Sequence, residues 1–119
     1  MVNWYGWFIE QSFEDKFIFK ELSTVKMKSE EENWKEHIVE LPDDKLEETL
    51  AWLTKKIKPT WYAHIVKGNK IIVIYRNKVF RLNQGESFKE IANYGRSVGI
   101  IEDQLPSENL FKLARDSGF

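Results

Sequence analysis

His37 and His64 are the only two imidazoles in the chain, and cysteine is absent. Disulfides, thiolate metal sites and cysteine nucleophiles are therefore excluded. The two histidines have no His-x-x-x-His spacing, so a metal site would need ligands gathered from distant parts of the chain, and none is predicted. The consecutive acids Glu30, Glu31 and Glu32 read as a solvated turn, because neighbours in sequence do not converge on one point. His64 falls on a strand face with Tyr62 and opposite Val73, next to Tyr75. It is the one candidate catalytic base, working with Tyr62 or Tyr75 in a cofactor-independent enzyme. A base needs an orienting acid and a substrate pocket. A hydrogen-bonded core histidine needs neither and is the simpler reading.

The other polar set is Arg76, Asn77, Lys78 and Arg81, joined by Tyr94 and Arg96. Guanidinium groups hold carboxylates or phosphates through paired N–H donors, and Arg76 emerges where it can stack on Trp61. Arg76, Arg81, Tyr94 and Arg96 are thus candidate ligand residues for a small anionic metabolite. The alternative is a charged turn that keeps a hairpin in solution. Ser97, between Arg96 and Val98, lacks the strand-to-helix context of a nucleophile elbow. No glycine-rich phosphate loop follows a strand, and no cofactor is implied.

Positioning these residues falls to the stretch 61–82. Ile71-Ile-Val-Ile-Tyr75 is β-branched and aromatic, the composition of a buried strand. Gly68-Asn69 lies between two apolar runs and reads as a two-residue hairpin turn. That turn sets Lys67 against Lys70, Ile65 against Ile72, Ala63 against Ile74 and His64 against Val73. Side chains alternate between the faces of a sheet. Trp61, Ala63, Ile65, Ile72, Ile74 and Arg76 share one face; Tyr62, His64, Val66, Ile71, Val73 and Tyr75 share the other. A second turn at 76–77 or 77–78 adds a third strand, with Phe80 and Leu82 on the Tyr62 face and Val79 and Arg81 on the Trp61 face. Both faces are apolar, whereas a face open to water would carry polar residues at alternate positions. With helices expected mainly on one face, Trp61, Ile65, Ile72 and Ile74 become candidate interface residues on the other.

The remaining elements are read from period and punctuation. Residues 2–9 form an aromatic strand with two apolar faces, and Gly6 marks a close approach or a bulge. Its aromatics could stack bases, but a core role is the simpler reading. Ser12 to Asp15 opens a short helix, with Ser12 as its cap and Phe13 and Phe17 on one face. Residues 24–28 alternate as an edge strand flanked by lysines, and residues 34–41 form another strand. Leu46, Leu50, Leu53 and Ile57 follow the 3.6-residue period of an amphipathic helix, capped by Asp43 or Asp44 and stopped by Pro59. Ser87-Phe-Lys-Glu90 is a capping box ahead of a stripe of Phe88, Ile91, Ala92, Gly95 and Val98. A short helical tail from about 106 carries Leu110, Phe111 and Ala114.

The order strand, helix, strand, strand, helix, strand predicts an α+β fold of ferredoxin-like (βαββαβ) type, an antiparallel sheet extended by a β-meander. The 119 residues form one domain, residues 1–119, long enough to bury a core without staples. Eighteen basic and 19 acidic residues give a net charge of −1. That balance argues against general nucleic-acid binding, and charges interrupt every apolar run before membrane length. A cytoplasmic protein is expected, and the Lys, Glu and Ile usage suits a prokaryote with AT-rich or heat-adapted habits.

Trp61-Tyr62-Ala63, Arg76-Asn-Lys-Val-Phe80 and Tyr94-Gly-Arg-Ser-Val-Gly-Ile100 with Gln104 resemble a family of small bacterial and archaeal proteins of unknown function. The resemblance covers about the first hundred residues. It implies no activity, only that the meander and the 94–104 segment belong together. The functional expectation is a small non-catalytic interaction module acting as a homodimer. A binding domain for an anionic metabolite through Arg76, Arg81 and Arg96 comes second, and an enzyme using His64 third.

Overall fold

The Gly68-Asn69 turn closes the hairpin expected of it. The computed structural model describes residues 3–14, 23–29 and 35–116. In it β4 (Ala63–Lys67) pairs with β5 (Lys70–Tyr75) in the register Lys67↔Lys70, Ile65↔Ile72, His64↔Val73 and Ala63↔Ile74. The next turn is Arg76-Asn77, which sets Tyr75 opposite Lys78 at the start of β6 (Lys78–Asn83). Asn77 takes a φ of 61°, a left-handed conformation that asparagine tolerates better than most residues. The face assignment made from alternation therefore holds along the whole meander.

β1 (Asn3–Ile9) runs between β4 and β3 (Lys35–Pro42), and β2 (Ser23–Ser29) pairs with the outer side of β3. The result is a six-stranded antiparallel sheet of order β2-β3-β1-β4-β5-β6. Gly6 lies opposite Ile65 across the β1–β4 pair. A Cβ there would lie 2.6 Å from Ile65 Cγ2 and 2.9 Å from Phe8 Cζ, so no larger residue fits without displacement.

One face is covered by α1 (Leu46–Lys56), whose Leu46, Leu50 and Leu53 join Trp4, Phe8, Val39, Ile65, Ile72 and Ile74 in a single buried cluster. A 3₁₀ turn, Asp43–Lys45, leads into this helix. Asp43 does not cap it; its carboxylate instead accepts the Trp4 Nε1–H at 2.7 Å and the Lys67 ammonium at 3.1 Å. The helix ends at Lys56, ahead of Pro59, because Ile57 is extended and forms a β-bridge with Phe13.

The other face is covered too, contrary to the expectation of helices mainly on one side. α2 (Lys89–Ser97) brings Ile91 onto Val73 and Tyr75, and α3 (Asn109–Asp116) brings Phe111 into the cluster of Trp7, Ile38, Val66 and Ile71. The buried Tyr75 hydroxyl donates to the Ile91 carbonyl at 2.9 Å, tying sheet to helix. Gly95 lets the two pack this closely: a Cβ there would stand 2.7 Å from Leu105 Cδ2 and 2.9 Å from Tyr75 Oη.

Two further expectations are corrected. Ile65, Ile72 and Ile74 are buried under α1 and are core, not interface; Trp61 is partly buried against the same cluster. The helix expected from Ser12 does not start there. Glu10–Ser12 is a 3₁₀ turn, after which Phe13 is extended, buried and edge-on to Phe8 at 5.7 Å. Phe13 reaches the core from a bridge to Ile57 and needs no helix to do so. The rest of that expected helix, with the charged turn around 30–33 and the strand residues Val2 and Trp34, lies outside the described residues.

Leu50 is 3% exposed at the centre of the α1 face. Leu50→Ala is expected to lower the unfolding free energy by ~2–5 kcal/mol through lost burial and the cavity left behind. Urea denaturation measures this, and a loss under about 1 kcal/mol would contradict the packing described.

Candidate functional site

The three arginines proposed as anion anchors are not gathered. Arg76 Nη1 donates to Glu14 at 2.7 Å and to the Ile57 carbonyl at 3.2 Å. Arg81 forms a two-pronged pair with Glu47 of α1, at 2.8 and 2.6 Å. Arg96, on α2 and so across the sheet from α1, donates from Nε to both Glu102 oxygens and from Nη1 to Asn93. Each guanidinium already has a carboxylate. An anion would have to displace it. Tyr94 packs edge-on to Tyr75 and Phe80, with ring centres at 4.8 and 5.6 Å. It joins the meander to the 94–104 segment.

His64 has a different setting. The β1–β4 register places it directly opposite Trp7, and the two rings stack 2° from parallel with centres 5.2 Å apart. The side chain is buried, at 5% exposure, and among the described residues its Nε2 has no hydrogen-bond partner. An unsatisfied buried polar atom costs ~1–3 kcal/mol and in a native fold calls for an explanation. Burial also disfavours the imidazolium, and the His64 pKa falls from 6.5 to about 4. At neutral pH the ring is uncharged and its Nε2 is free to donate or accept according to tautomer.

His64 lines a cleft of about 280 Å³ between the sheet and the C-terminal segment. Trp7 and His64 are its buried members on the sheet, Tyr62 and Trp61 stand beside them, and Ile100, Leu110 and Leu113 face them from the covering layer. Polar groups are few: Thr60, Glu36 and Gln104. The lining combines apolar and aromatic walls with a few polar groups, the usual make-up of small-molecule sites. Desolvation pushes the Tyr62 hydroxyl up to about 12 and raises Tyr75 further above its ordinary value, so neither is an effective acid at neutral pH.

His64 was legible as a candidate from its isolation among apolar neighbours. Trp7, Ile100, Gln104, Leu110 and Leu113 were not, because they meet only through the sheet pairing of β1 with β4 and the return of the tail. The amphipathic tail was the one signal that something would close over this face. Among the described residues no group of three or more His, Asp and Glu side chains is placed to hold a metal ion, and no helix is long and apolar enough to cross a membrane. Compared with family models, with curated proteins and with solved structures, the chain matches none.

Between pH 6.5 and about 4 the unfolded chain carries a proton on His64 that the folded chain does not. Stability therefore falls as pH drops through that window and this contribution levels off below it, with a total of roughly 3 kcal/mol. Denaturation midpoints at pH 7.5 and 4.5 are expected to differ more in the native protein than in His64→Phe. Equal pH dependence in the two would show that His64 protonates freely in the fold.

Proposed function

We propose that this protein is a non-catalytic binding module for a small apolar molecule held in the cleft over Trp7 and His64. The observation that carries this reading is a cleft of about 280 Å³ whose described lining is mostly apolar and aromatic, with Trp7 and His64 buried on its sheet side. Catalysis by His64 is less well supported. No carboxylate orients the ring among the described residues, and a pKa of about 4 makes it a weak base at neutral pH. The anionic-metabolite reading loses its anchors to Glu14, Glu47 and Glu102. The homodimer reading placed a sheet face or edge in the interface; α1 fills the face named for it, which leaves that reading an edge.

The scaffold proposed for this site is ferredoxin-like. The order β2-β3-β1-β4, all antiparallel, supports that reading, with β5 and β6 as an added edge.

Leu113 is 38% exposed on α3 at the cleft, so a larger residue there is tolerated by the fold and narrows the entrance. In an NMR screen of neutral apolar fragments at pH 7, binders are expected to shift the amides of Trp7, His64 and Ile100. Leu113→Trp should weaken them at least tenfold. A screen in which no fragment moves these three amides, or in which Leu113→Trp changes nothing, rejects the binding-module reading.

A further inference from the structure

Beyond the cleft, we infer that two copies of this chain join edge to edge through β6, antiparallel and twofold about Phe80, into one continuous sheet. β2 and β6 are the two edges of the sheet. β2 carries a register shift between Thr24 and Lys26, an irregularity that discourages further pairing. β6 pairs with β5 without interruption from Lys78 to Asn83 and contains neither proline nor glycine. The two-residue turn at Arg76-Asn77 makes Tyr75 and Lys78 a hydrogen-bonded pair. Alternation then turns the backbone groups of Lys78, Phe80 and Leu82 inward to β5, and those of Val79, Arg81 and Asn83 outward. The chain itself closes both ends of the outward row. The Asn77 N–H donates to the Thr54 carbonyl at 3.0 Å. The Asn83 N–H donates to Glu86 Oε1 at 2.7 Å, and its carbonyl accepts the Glu86 N–H at 3.1 Å. Between these ends the N–H and C=O groups of Val79 and Arg81 have no partner among the described residues.

A second β6 matches these groups. With Val79 opposite Arg81 of the second copy, and the reverse, both pairs exchange N–H···O bonds and no free group is left over. Sliding the copy by two residues sets Arg81 against Arg81 and Val79 against the engaged Asn83, or Val79 against Val79 and Arg81 against the engaged Asn77. In the twofold register Phe80 faces Phe80 of the second copy as a non-hydrogen-bonded pair, where aromatic side chains lie close and stabilise an antiparallel sheet. Lys78 then faces Leu82, so no like charges are opposed. The two cations of β6 are held by their own chain: Arg81 by Glu47 at 2.8 and 2.6 Å, and Lys78 over the Phe80 ring at 5.3 Å. Charge also favours a second copy. α1 runs alongside β6 in the opposite direction, with Glu47 at Arg81 and Thr54 bonded to Asn77. The twofold axis sets the two α1 helices antiparallel on one face of the joined sheet. The acidic start of each, with Asp43, Asp44, Glu47 and Glu48, is thereby directed toward Lys55 and Lys56 at the end of the other.

One strand edge and one helix flank make a small interface, so the expected dissociation constant is on the order of 100 µM. The experiment is sedimentation equilibrium between about 10 µM and about 1 mM, with amide hydrogen exchange read by NMR at both ends of that range. A reversible monomer–dimer equilibrium is expected. The Val79 and Arg81 amides, open to water in the monomer, should exchange about fourfold more slowly at the higher concentration, where roughly four-fifths of the chain is dimeric. The Phe80 and Leu82 amides, bonded to β5, should be protected at both. Val79→Pro removes an N–H that serves no bond within the chain, at an edge position where proline is tolerated, and should abolish the dimer while keeping the β5–β6 ladder. A chain still monomeric at about 1 mM, or a dimer whose Val79 and Arg81 amides exchange as fast as in the monomer, would overturn the inference. So would a folded Val79→Pro that dimerises as before. If Val79→Pro does not fold, the exchange rates of the native protein decide alone. A monomer in which an added Thr-Val-Thr-Val-Thr peptide protects both amides gives the edge to a foreign strand and equally overturns self-pairing.

Discussion

Ile72 and Val73 are adjacent in the chain, point to opposite sides of the sheet, and are both buried. The same holds for Trp7 and Phe8 in β1 and for Ile65 and Val66 in β4. A sheet whose central strands are apolar on both faces cannot leave either one in water. Each large side chain withdrawn from solvent stabilises the fold by ~1.5–3 kcal/mol, and these strands place several on each side. The rest of the chain is arranged to provide two covers with few helical residues.

The two covers are built differently. On the Trp4–Ile74 face a single eleven-residue helix lays three leucines along the sheet. Its margins are closed by ion pairs: Arg81 to Glu47 beside the helix, and Arg76 to Glu14 near its end. The opposite face is covered in pieces, by α2, by the 98–108 connection and by α3. Gly95 and the Tyr75–Ile91 hydrogen bond bring α2 close at one end, and Phe111 holds α3 over Trp7 at another. A cover assembled from short pieces leaves a gap where they meet, and His64 lies under that gap.

The chemistry of the gap follows from its origin as unfinished core. Its described walls are mostly aromatic and aliphatic side chains of the sheet and of the pieces that cover it. His64, buried on its sheet side, is held neutral by the loss of water around it, with a pKa of about 4. Such a group is a poor catalyst, because the desolvation around it makes it a poor proton acceptor.

Much of this was written in local pattern. The hairpin register, the faces of the meander, the α1 stripe and a close-packed glycine in β1 follow from alternation, turn residues and helical period, all properties of neighbours in sequence. Local pattern failed at Ser12–Phe13, where a cap-like serine and two spaced phenylalanines read as helix, and long-range pairing with Ile57 imposed an extended chain instead. It failed again at the arginines, since the carboxylates that engage them lie 62 residues away for Arg76 and 34 for Arg81. By itself the sequence determined that both faces of the sheet must be buried, and that His64 would lie among apolar neighbours. Only the tertiary structure decided which helix covers which face, which side chains are thereby consumed, and where the cover stays open. Those outcomes depend on how separate elements fit together in three dimensions, and no periodicity within one element encodes that fit.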